Sequence, residues 1–165
     1  MNEAESAVRY IRSQKETKVE KLGIWGYSAG GHLAAITLTE PRVQKELDFG
    51  ILAYPVISME EGITHMGSRR NLLGEHPSRK LVEEMSAEKR VKDLNSTLPV
   101  FVYHSVNDAT VPVENSLRFI QALTEKGRAY EALILPDAQH GIGLGLNDPV
   151  RNWEGELDRF MEYSI

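Results

Sequence analysis

Ser28 is the residue of this chain whose surroundings most favour covalent chemistry. It stands in the hexapeptide GYSAGG at 26–31, after a short apolar run at 22–25 and before a helix-like apolar segment at 33–36. A strand, a sharp turn and a helix in that order form a nucleophile elbow, which presents a serine hydroxyl to a base that can take its proton. The glycines at 26 and 30 lack a Cβ, so we expect them to let strand and helix approach closely. The pattern predicts that Ser28 is a nucleophile, while a serine that only caps the following helix is the alternative.

Two downstream residues supply the partners that a serine nucleophile requires. Asp108 follows the apolar run at 100–103, and His140 follows a second run at 130–135, so each lies just past the end of a predicted strand. The site of a parallel α/β sheet lies at the carboxyl ends of its strands, so we expect the serine, the acid and the histidine to meet there. His140 is then the general base and Asp108 the carboxylate that orients it. Asp137 is an alternative acid, because it precedes His140 by only three residues.

The elbow and three further segments together resemble one family of esterases. These segments are YPVIS at 54–58, NLLG at 71–74 and NDATVP at 107–112. They look like the acetylesterase and acetyl xylan esterase branch of the α/β-hydrolases, and the resemblance runs from about residue 3 to the C-terminus. It implies an α/β fold with a mainly parallel sheet and flanking helices. It also implies acetylated sugars or xylan as the substrate class.

Members of that family carry an earlier half of the fold, and we expect this chain to correspond to the C-terminal part, without the N-terminal strands. The earlier half includes a His-Gly-Gly-Gly-like loop that donates backbone N–H groups to the oxyanion. The N–H of Ala29, the residue after the nucleophile, is one expected oxyanion donor here, and the second donor is missing. Because the loss of one such donor lowers turnover about 10²- to 10³-fold, we expect weak activity unless another segment or chain replaces it.

The elements that must position these residues alternate between strand and helix. We predict strands at about 21–27, 49–56, 100–106 and 130–135, and helices at 2–13, 28–38, 112–126 and from Asp148 and Pro149 onward. Residues 57–97 interrupt this alternation with glycines and charges, so we predict an excursion over the site with a short helix near 81–85. The chain as a whole, residues 1–165, is predicted to be a single α/β domain.

The composition excludes several classes of function. Lysine plus arginine number 19 and aspartate plus glutamate 24, and the basic residues are dispersed, so neither a nucleic-acid footprint nor a polybasic membrane patch is present. The chain has no cysteine, which excludes a disulfide framework, a thiolate metal site and the cysteine nucleophile of dienelactone hydrolases. The five histidines lack the spacing of a known metal signature, so we expect no metal and no cofactor.

The termini and the elbow strand bear on location and assembly. The first twelve residues are charged and amphipathic, unlike a signal sequence, and no stretch approaches membrane-spanning length, so we expect a soluble and cytoplasmic protein. In the family that the chain resembles, the elbow strand is central, whereas here no predicted strand covers its outer side. An apolar strand edge exposed to water favours pairing with another chain. We therefore expect a homo-oligomer, or a partner chain, joined near residues 20–27 and the first helix.

Together these features predict a serine carboxylester hydrolase that acts on short acyl esters without a cofactor. Ser28 attacks the ester carbonyl, His140 takes its proton, and Asp108 holds the imidazole in the productive tautomer. Tyr27, beside the nucleophile, is expected to line the substrate site. Two alternatives stay open: a serine peptidase of the prolyl oligopeptidase kind, which has the same fold and chain order, and a non-catalytic remnant or binding protein of the same fold.

Overall fold

A parallel sheet forms the centre of the protein. The computed structural model describes residues 2–14 and 18–165, and its strands are β1 (Gly23–Tyr27), β2 (Phe49–Ala53), β3 (Val100–Ser105) and β4 (Tyr130–Leu135). They lie in the order β1-β2-β3-β4, and every neighbouring pair is parallel. In the register, Tyr27 pairs with Ala53, which pairs in turn with Tyr103. The carboxyl ends of the strands therefore meet along one edge of the sheet.

Helices cover this sheet and connect its strands. The α-helices of the described residues are α1 (Asn2–Ser13), α2 (Ala29–Leu38), α3 (Met66–Leu73), α4 (Arg79–Glu84), α5 (Glu114–Glu125) and α6 (Glu154–Tyr163). Short 3-10 turns lie at Gln44–Glu46 and Ala87–Asp93. Within the described ranges, no helix is long and apolar enough to cross a bilayer. The predicted α/β class, with a parallel sheet and flanking helices, is confirmed.

Strand β3 shows why a continuous apolar run is needed at the centre of the sheet. All of its residues are buried, because helices cover both faces. Val100 and Val102 join the apolar cluster formed with α2 and α5, whereas Phe101 and Tyr103 join the cluster around Trp153 on the opposite face. The rings of Tyr103 and Trp153 stack with centroids 4.5 Å apart. The strand that leads to Asp108 is thus fixed from both sides.

The C-terminal helix begins later than the sequence predicts. It starts at Glu154, whereas Asp148 and Pro149 were expected to open it. Asp148 Oδ1 accepts hydrogen bonds from the backbone N–H groups of Val150 at 3.1 Å and Arg151 at 3.2 Å. A carboxylate that accepts from the N–H groups two and three residues ahead closes a turn as well as it caps a helix. Here it closes a turn, and Val150, the next residue after Pro149, is exposed.

The segment at 57–97 contains more helix than its sequence indicates. The short helix predicted near 81–85 is present as α4, but α3 and the second 3-10 turn were not expected. The start of the segment is held by Asn115 of α5, whose Oδ1 accepts from the N–H groups of Ile57 at 3.0 Å and Ser58 at 3.1 Å. Asn115 is fully buried, so its amide satisfies backbone groups that water does not reach.

Candidate active site

Ser28 lies in a strained turn between β1 and α2. Its backbone has φ 53° and ψ −121°, in a region that residues other than glycine rarely adopt. The turn is held on both sides, because Ser28 N–H donates to Ala53 O at 3.0 Å and Ser28 O accepts from Val56 N–H at 3.0 Å. These bonds tie the turn to the end of β2. The serine side chain is presented at the carboxyl edge of the sheet.

The close approach of strand and helix depends on one of the two glycines expected to permit it. A Cβ on Gly26 would lie 2.2 Å from Gly30 O, so no larger residue fits there. Gly30 itself has nothing within 4 Å of such a Cβ, and the expectation for that position is wrong. Gly31 is the second required glycine, because its Cβ would lie 2.6 Å from the Pro55 side chain. The helix packs against the segment after β2 through this residue.

Of the three residues predicted to act together, His140 lies within hydrogen-bond distance of both others. His140 Nε2 is 2.8 Å from Ser28 Oγ, and His140 Nδ1 is 2.7 Å from Asp108 Oδ2. A carboxylate only accepts, so Nδ1 carries the proton and Nε2 is left to accept from the serine hydroxyl. The alternative acid, Asp137, instead pairs with Arg151 at 2.6 Å.

The Asp108 carboxylate is enclosed and fully bonded. Its Oδ1 accepts from the backbone N–H groups of Thr110 at 2.8 Å and Val111 at 2.9 Å, while Oδ2 faces His140. Burial favours the neutral acid, but hydrogen bonds from His140, Val111 and Thr110 outweigh it and lower the pKa of Asp108. The carboxylate of Asp108 is therefore ionised at neutral pH.

His104 is a neighbour of Asp108 that the sequence did not identify as part of the site. The imidazole is fully buried, and its Nε2 lies 2.9 Å from Val111 O and 3.4 Å from Asp108 Oδ2. Since both are acceptors, Nε2 carries the proton, and Nδ1 accepts from Ser116 Oγ at 2.7 Å. Burial lowers the pKa of His104, which keeps the ring neutral. A histidine near the end of a mainly apolar strand, four positions before Asp108, is a signal that could have identified it.

Tyr54 supports the histidine from the other side and was also missed. It has a positive φ of 37°, and its ring packs edge-to-face against His140 with centroids 4.9 Å apart. Its hydroxyl accepts from Gly143 N–H at 3.2 Å. The ring of Tyr27, the residue expected to line the site, lies 5.7 Å from that of Tyr54 and is 38% exposed. The Tyr27 ring thus lies next to that of Tyr54, which contacts His140, and Tyr27 is partly exposed to solvent.

Ala29, the expected oxyanion donor, is the first residue of α2. The first N–H groups of a helix have no partner within it, and the helix dipole makes that end positive. Ala29 is exposed and directly follows Ser28. This position fits the donor role predicted for it.

Two of the remaining histidines have hydrogen-bond partners outside the site. His32 Nε2 donates to Met85 O at 2.7 Å, and His65 caps α3 by accepting from Ser68 N–H at 3.3 Å. No group of three or more histidine, cysteine, aspartate or glutamate side chains in the described part of the chain is arranged to hold a metal ion.

Comparison with known proteins identifies a family, two relatives that are similar in sequence and one solved structure that is similar in fold. Residues 1–164 match the prolyl oligopeptidase family. The chain is 34% identical over 163 residues to endo-1,4-beta-xylanase B of Butyrivibrio fibrisolvens, which covers 90% of this chain. It is 31% identical over 151 residues to an acetylxylan esterase of Xylanibacter ruminicola, which covers 88%. An acetyl ester-xyloside bifunctional hydrolase from Caldicellulosiruptor lactoaceticus superposes over 96% of the chain with a TM-score of 0.84 at 34% identity.

These relatives are longer than the chain. It spans 25% of the xylanase, 31% of the acetylxylan esterase and 63% of the bifunctional hydrolase. The aligned part is the one that contains the elbow and both of its partner loops.

Proposed function

Because the chain belongs to the prolyl oligopeptidase family of α/β-hydrolases, we propose that it acts as a serine esterase on short acyl esters. The observation that carries the proposal is the continuous path Ser28–His140–Asp108, with separations of 2.8 and 2.7 Å. A serine, an imidazole and a buried carboxylate at these distances are what acyl transfer requires.

In the proposed reaction, Ser28 Oγ attacks the ester carbonyl while its proton passes to His140 Nε2. Asp108 stabilises the imidazolium that forms, and the Ala29 N–H donates to the carbonyl oxygen as it becomes an oxyanion. Collapse of this intermediate breaks the bond to the alcohol, which leaves with the proton from Nε2. Water then attacks the acyl-serine with the same histidine as its base, and the acid is released.

The substrate class comes from the relatives. One is named an acetylxylan esterase, at 31% identity, and another an acetyl ester-xyloside bifunctional hydrolase, at 34% identity. We propose acetyl esters of xylan or of xylose-containing sugars as substrates of this chain. Tyr27, aromatic and partly exposed beside the nucleophile, is proposed to contact the sugar.

A serine peptidase is the second candidate, favoured by the match to the prolyl oligopeptidase family. The two activities separate on paired chromogenic substrates, an acetyl ester and a prolyl amide with the same leaving group. Faster hydrolysis of the ester than of the amide, relative to their uncatalysed rates, supports the esterase. The reverse order would assign the peptidase.

Covalent labelling tests whether the site is assembled at all. A fluorophosphonate probe should label the wild-type protein and not Ser28→Ala, while Ser96→Ala, a change in an exposed turn, should label normally. An unlabelled wild type that is folded by circular dichroism would instead identify a non-catalytic remnant or binding protein.

The outer edge of β1 is proposed to join a second polypeptide, in the first place another copy of this chain. Within the described residues β1 pairs with β2 alone, so its other edge is unpaired. Trp25 and Tyr27 beside it are 41% and 38% exposed, an apolar surface next to free backbone groups. Sedimentation at low micromolar concentration should show an oligomer that Trp25→Lys weakens. A folded monomer at that concentration would refute the proposal.

A further inference from the structure

An apolar cavity of about 430 Å³ lies beside the elbow, between α2 and the segment at 57–97. It begins at Ala29, the proposed oxyanion donor, and extends along the face of α2 that carries its i+3, i+4 and i+7 positions. Its wall is formed by Ala29, His32, Leu33, Ile36, Met59, Ser68, Asn71, Leu72 and Met85.

The polar side chains in this wall have partners elsewhere or face solvent. His32 Nε2 donates a hydrogen bond to the Met85 carbonyl. Burial lowers the pKa of His32, so the imidazole in the wall is uncharged. Ser68 Oγ is bonded to His65 Nδ1 at 3.0 Å, and Asn71 is exposed to water. The surface offered to a ligand is therefore apolar, and an apolar group gains most from entering it.

The deepest and outermost parts of the wall are formed by different residues. Ile36 and Met59 are fully buried and form its base, whereas Leu33 and Leu72 are 47% and 48% exposed. Half-exposed leucines next to an apolar cavity form an entrance that a flexible chain can cover. The cavity is thus open to solvent beside these leucines, and Ala29 in its wall directly follows Ser28.

The geometry of acyl transfer decides which part of an ester faces this cavity. In the tetrahedral intermediate the oxyanion faces the Ala29 N–H, and the leaving oxygen faces His140 Nε2, which must protonate it. A second cavity, of about 930 Å³, adjoins His140 and has a mixed wall that includes three charged side chains, Asp137, Asp148 and Arg151, and the amides of Asn107, Gln139 and Asn147. A polyhydroxylated alcohol suits that polar side, which leaves the acyl substituent for the apolar side.

We infer that the cavity beside Ala29 binds the acyl chain of the ester, and that the enzyme accepts straight acyl chains longer than acetyl. This inference rests on the proposed esterase function and specifies its substrate. An acetyl group fills only a small part of a space this size, because it presents a single methyl group. Since each buried CH₂ contributes a transfer free energy that corresponds to roughly a fourfold gain, kcat/KM should rise as the chain lengthens.

The test uses p-nitrophenyl esters of acetate, butanoate, hexanoate and octanoate, which share one leaving group. For the wild type we expect kcat/KM for hexanoate to exceed that for acetate by at least tenfold. Leu72→Trp should fill the entrance and lower the hexanoate-to-acetate ratio of kcat/KM toward one. Leu117→Trp is the matched control, because Leu117 is 47% exposed on α5 and does not line the cavity; it should leave the ratio as in the wild type.

The outcomes separate this inference from the proposed function. If acetate is hydrolysed but hexanoate is not preferred, or if Leu72→Trp leaves the ratio unchanged, the acyl assignment is wrong and the esterase stands. If no ester is hydrolysed and a fluorophosphonate leaves Ser28 unlabelled, the proposed function fails and the acyl assignment fails with it. If labelling occurs without measurable turnover, competition of each ester with the probe for Ser28 replaces kcat/KM, and the same chain-length order is required.

Discussion

The turn that carries Asp108 and the loop that carries His140 follow adjacent strands, yet different parts of the chain hold them in place. The turn closes on itself, because Asp108 Oδ1 accepts from the N–H groups of Thr110 and Val111, two and three residues ahead. His104, from the strand just before it, completes the enclosure by donating to Val111 O. The acid is held by residues that are its neighbours in sequence.

The loop after β4 closes on itself further from its site residue, where Gly145 N–H donates to Ile142 O at 3.1 Å and Asp148 N–H donates to Gly145 O at 2.8 Å. Glycines at 141, 143 and 145 adopt positive φ values of 81°, 65° and 70°, a conformation that glycine enters with little strain. Closer to His140, the loop is held by residues of other segments. The Tyr54 hydroxyl accepts from Gly143 N–H, and Trp153 Nε1 donates to Gly143 O at 2.7 Å. The base thus sits on a loop whose position depends on tertiary contacts.

This difference suits the two roles. An orienting carboxylate serves best when it is ionised and immobile, which a closed turn provides. A base must take a proton from the serine and return it to a different oxygen, so small adjustments of its loop are useful. We therefore expect kcat to fall more when a residue that holds Asp108 is changed than when a single residue that holds the loop of His140 is changed.

The largest fall in kcat should come from removing the nucleophile or the base. Ser28→Ala and His140→Ala should each lower kcat by about 10⁴- to 10⁶-fold, and the double variant should be hardly worse than either, because residues that act as one unit are not additive. Steady-state rates on p-nitrophenyl acetate measure this, with Ser96→Ala as the control. Losses that multiply in the double variant would contradict the assignment of one site.

Asp108→Asn should come next, since an amide of the same shape abolishes the charge and disturbs the imidazole tautomer. A fall in kcat of about 10⁴-fold is expected. The same variant tests the lowered pKa of Asp108, whose ordinary value is 3.8. A carboxylate with a lower pKa in the folded state stabilises the fold above that ordinary value, and this contribution is lost as the pH falls through the folded pKa.

The melting temperature of Asp108→Asn should therefore lie below that of the wild type at pH 7, and the gap should narrow as the pH falls below about 4. The exposed Asp93→Asn is the control for a general loss of charge. A gap that stays constant down to pH 2.5 would mean that the ionised form of Asp108 is not what stabilises the turn.

The strand–turn–helix around Ser28 was predictable from sequence because its signals are local. Apolar runs ended by a serine, an aspartate or a histidine predicted the strands and the three site residues, since parallel strands must bring their carboxyl ends together. The resemblance to α/β-hydrolase esterases is likewise confirmed by the family match. These inferences needed no knowledge of how helices pack.

What the sequence could not supply depends on contacts between elements. Asp148 and Pro149 are as typical of a turn as of a helix start, and only the bonds around Arg151 decide between them. The orientation of His104 toward Asp108 depends on a hydrogen bond from Ser116 of α5, and the periodicity of the strand does not reveal that contact. Gly31 is required by a proline on another segment, so the glycine motif alone pointed to the wrong position at 30.

A smaller but diagnostic effect is expected at His104, which we predict to be a positioning residue for the acid. His104→Leu removes the N–H that faces Val111 O and Asp108 Oδ2, so the carboxylate should lose its fixed position. We expect kcat to fall about tenfold to a hundredfold with little change in KM, the cost of a displaced catalytic group. The exposed His76→Leu should have no effect.

Rescue distinguishes positioning from a general loss of stability. His104→Gln keeps an N–H at a similar distance from the backbone and should recover most of kcat. Equal losses of kcat in the leucine and glutamine variants, in step with equal losses of melting temperature, would show that His104 only fills space.

The smallest effect should come from the loop of the base. Tyr54→Phe keeps the ring against His140 but removes the acceptor for Gly143 N–H, and water can replace that acceptor because the loop is only partly buried. The loss of one such hydrogen bond corresponds to about a twofold to tenfold fall in kcat, and the bond from Trp153 still holds the loop. Stopped-flow hydrolysis of p-nitrophenyl acetate measures it, with Tyr163→Phe, at an exposed tyrosine, as the control. A loss in Tyr54→Phe as large as that in His104→Leu would mean that acid and base are held equally firmly, and that the tolerance assigned to the base side is wrong.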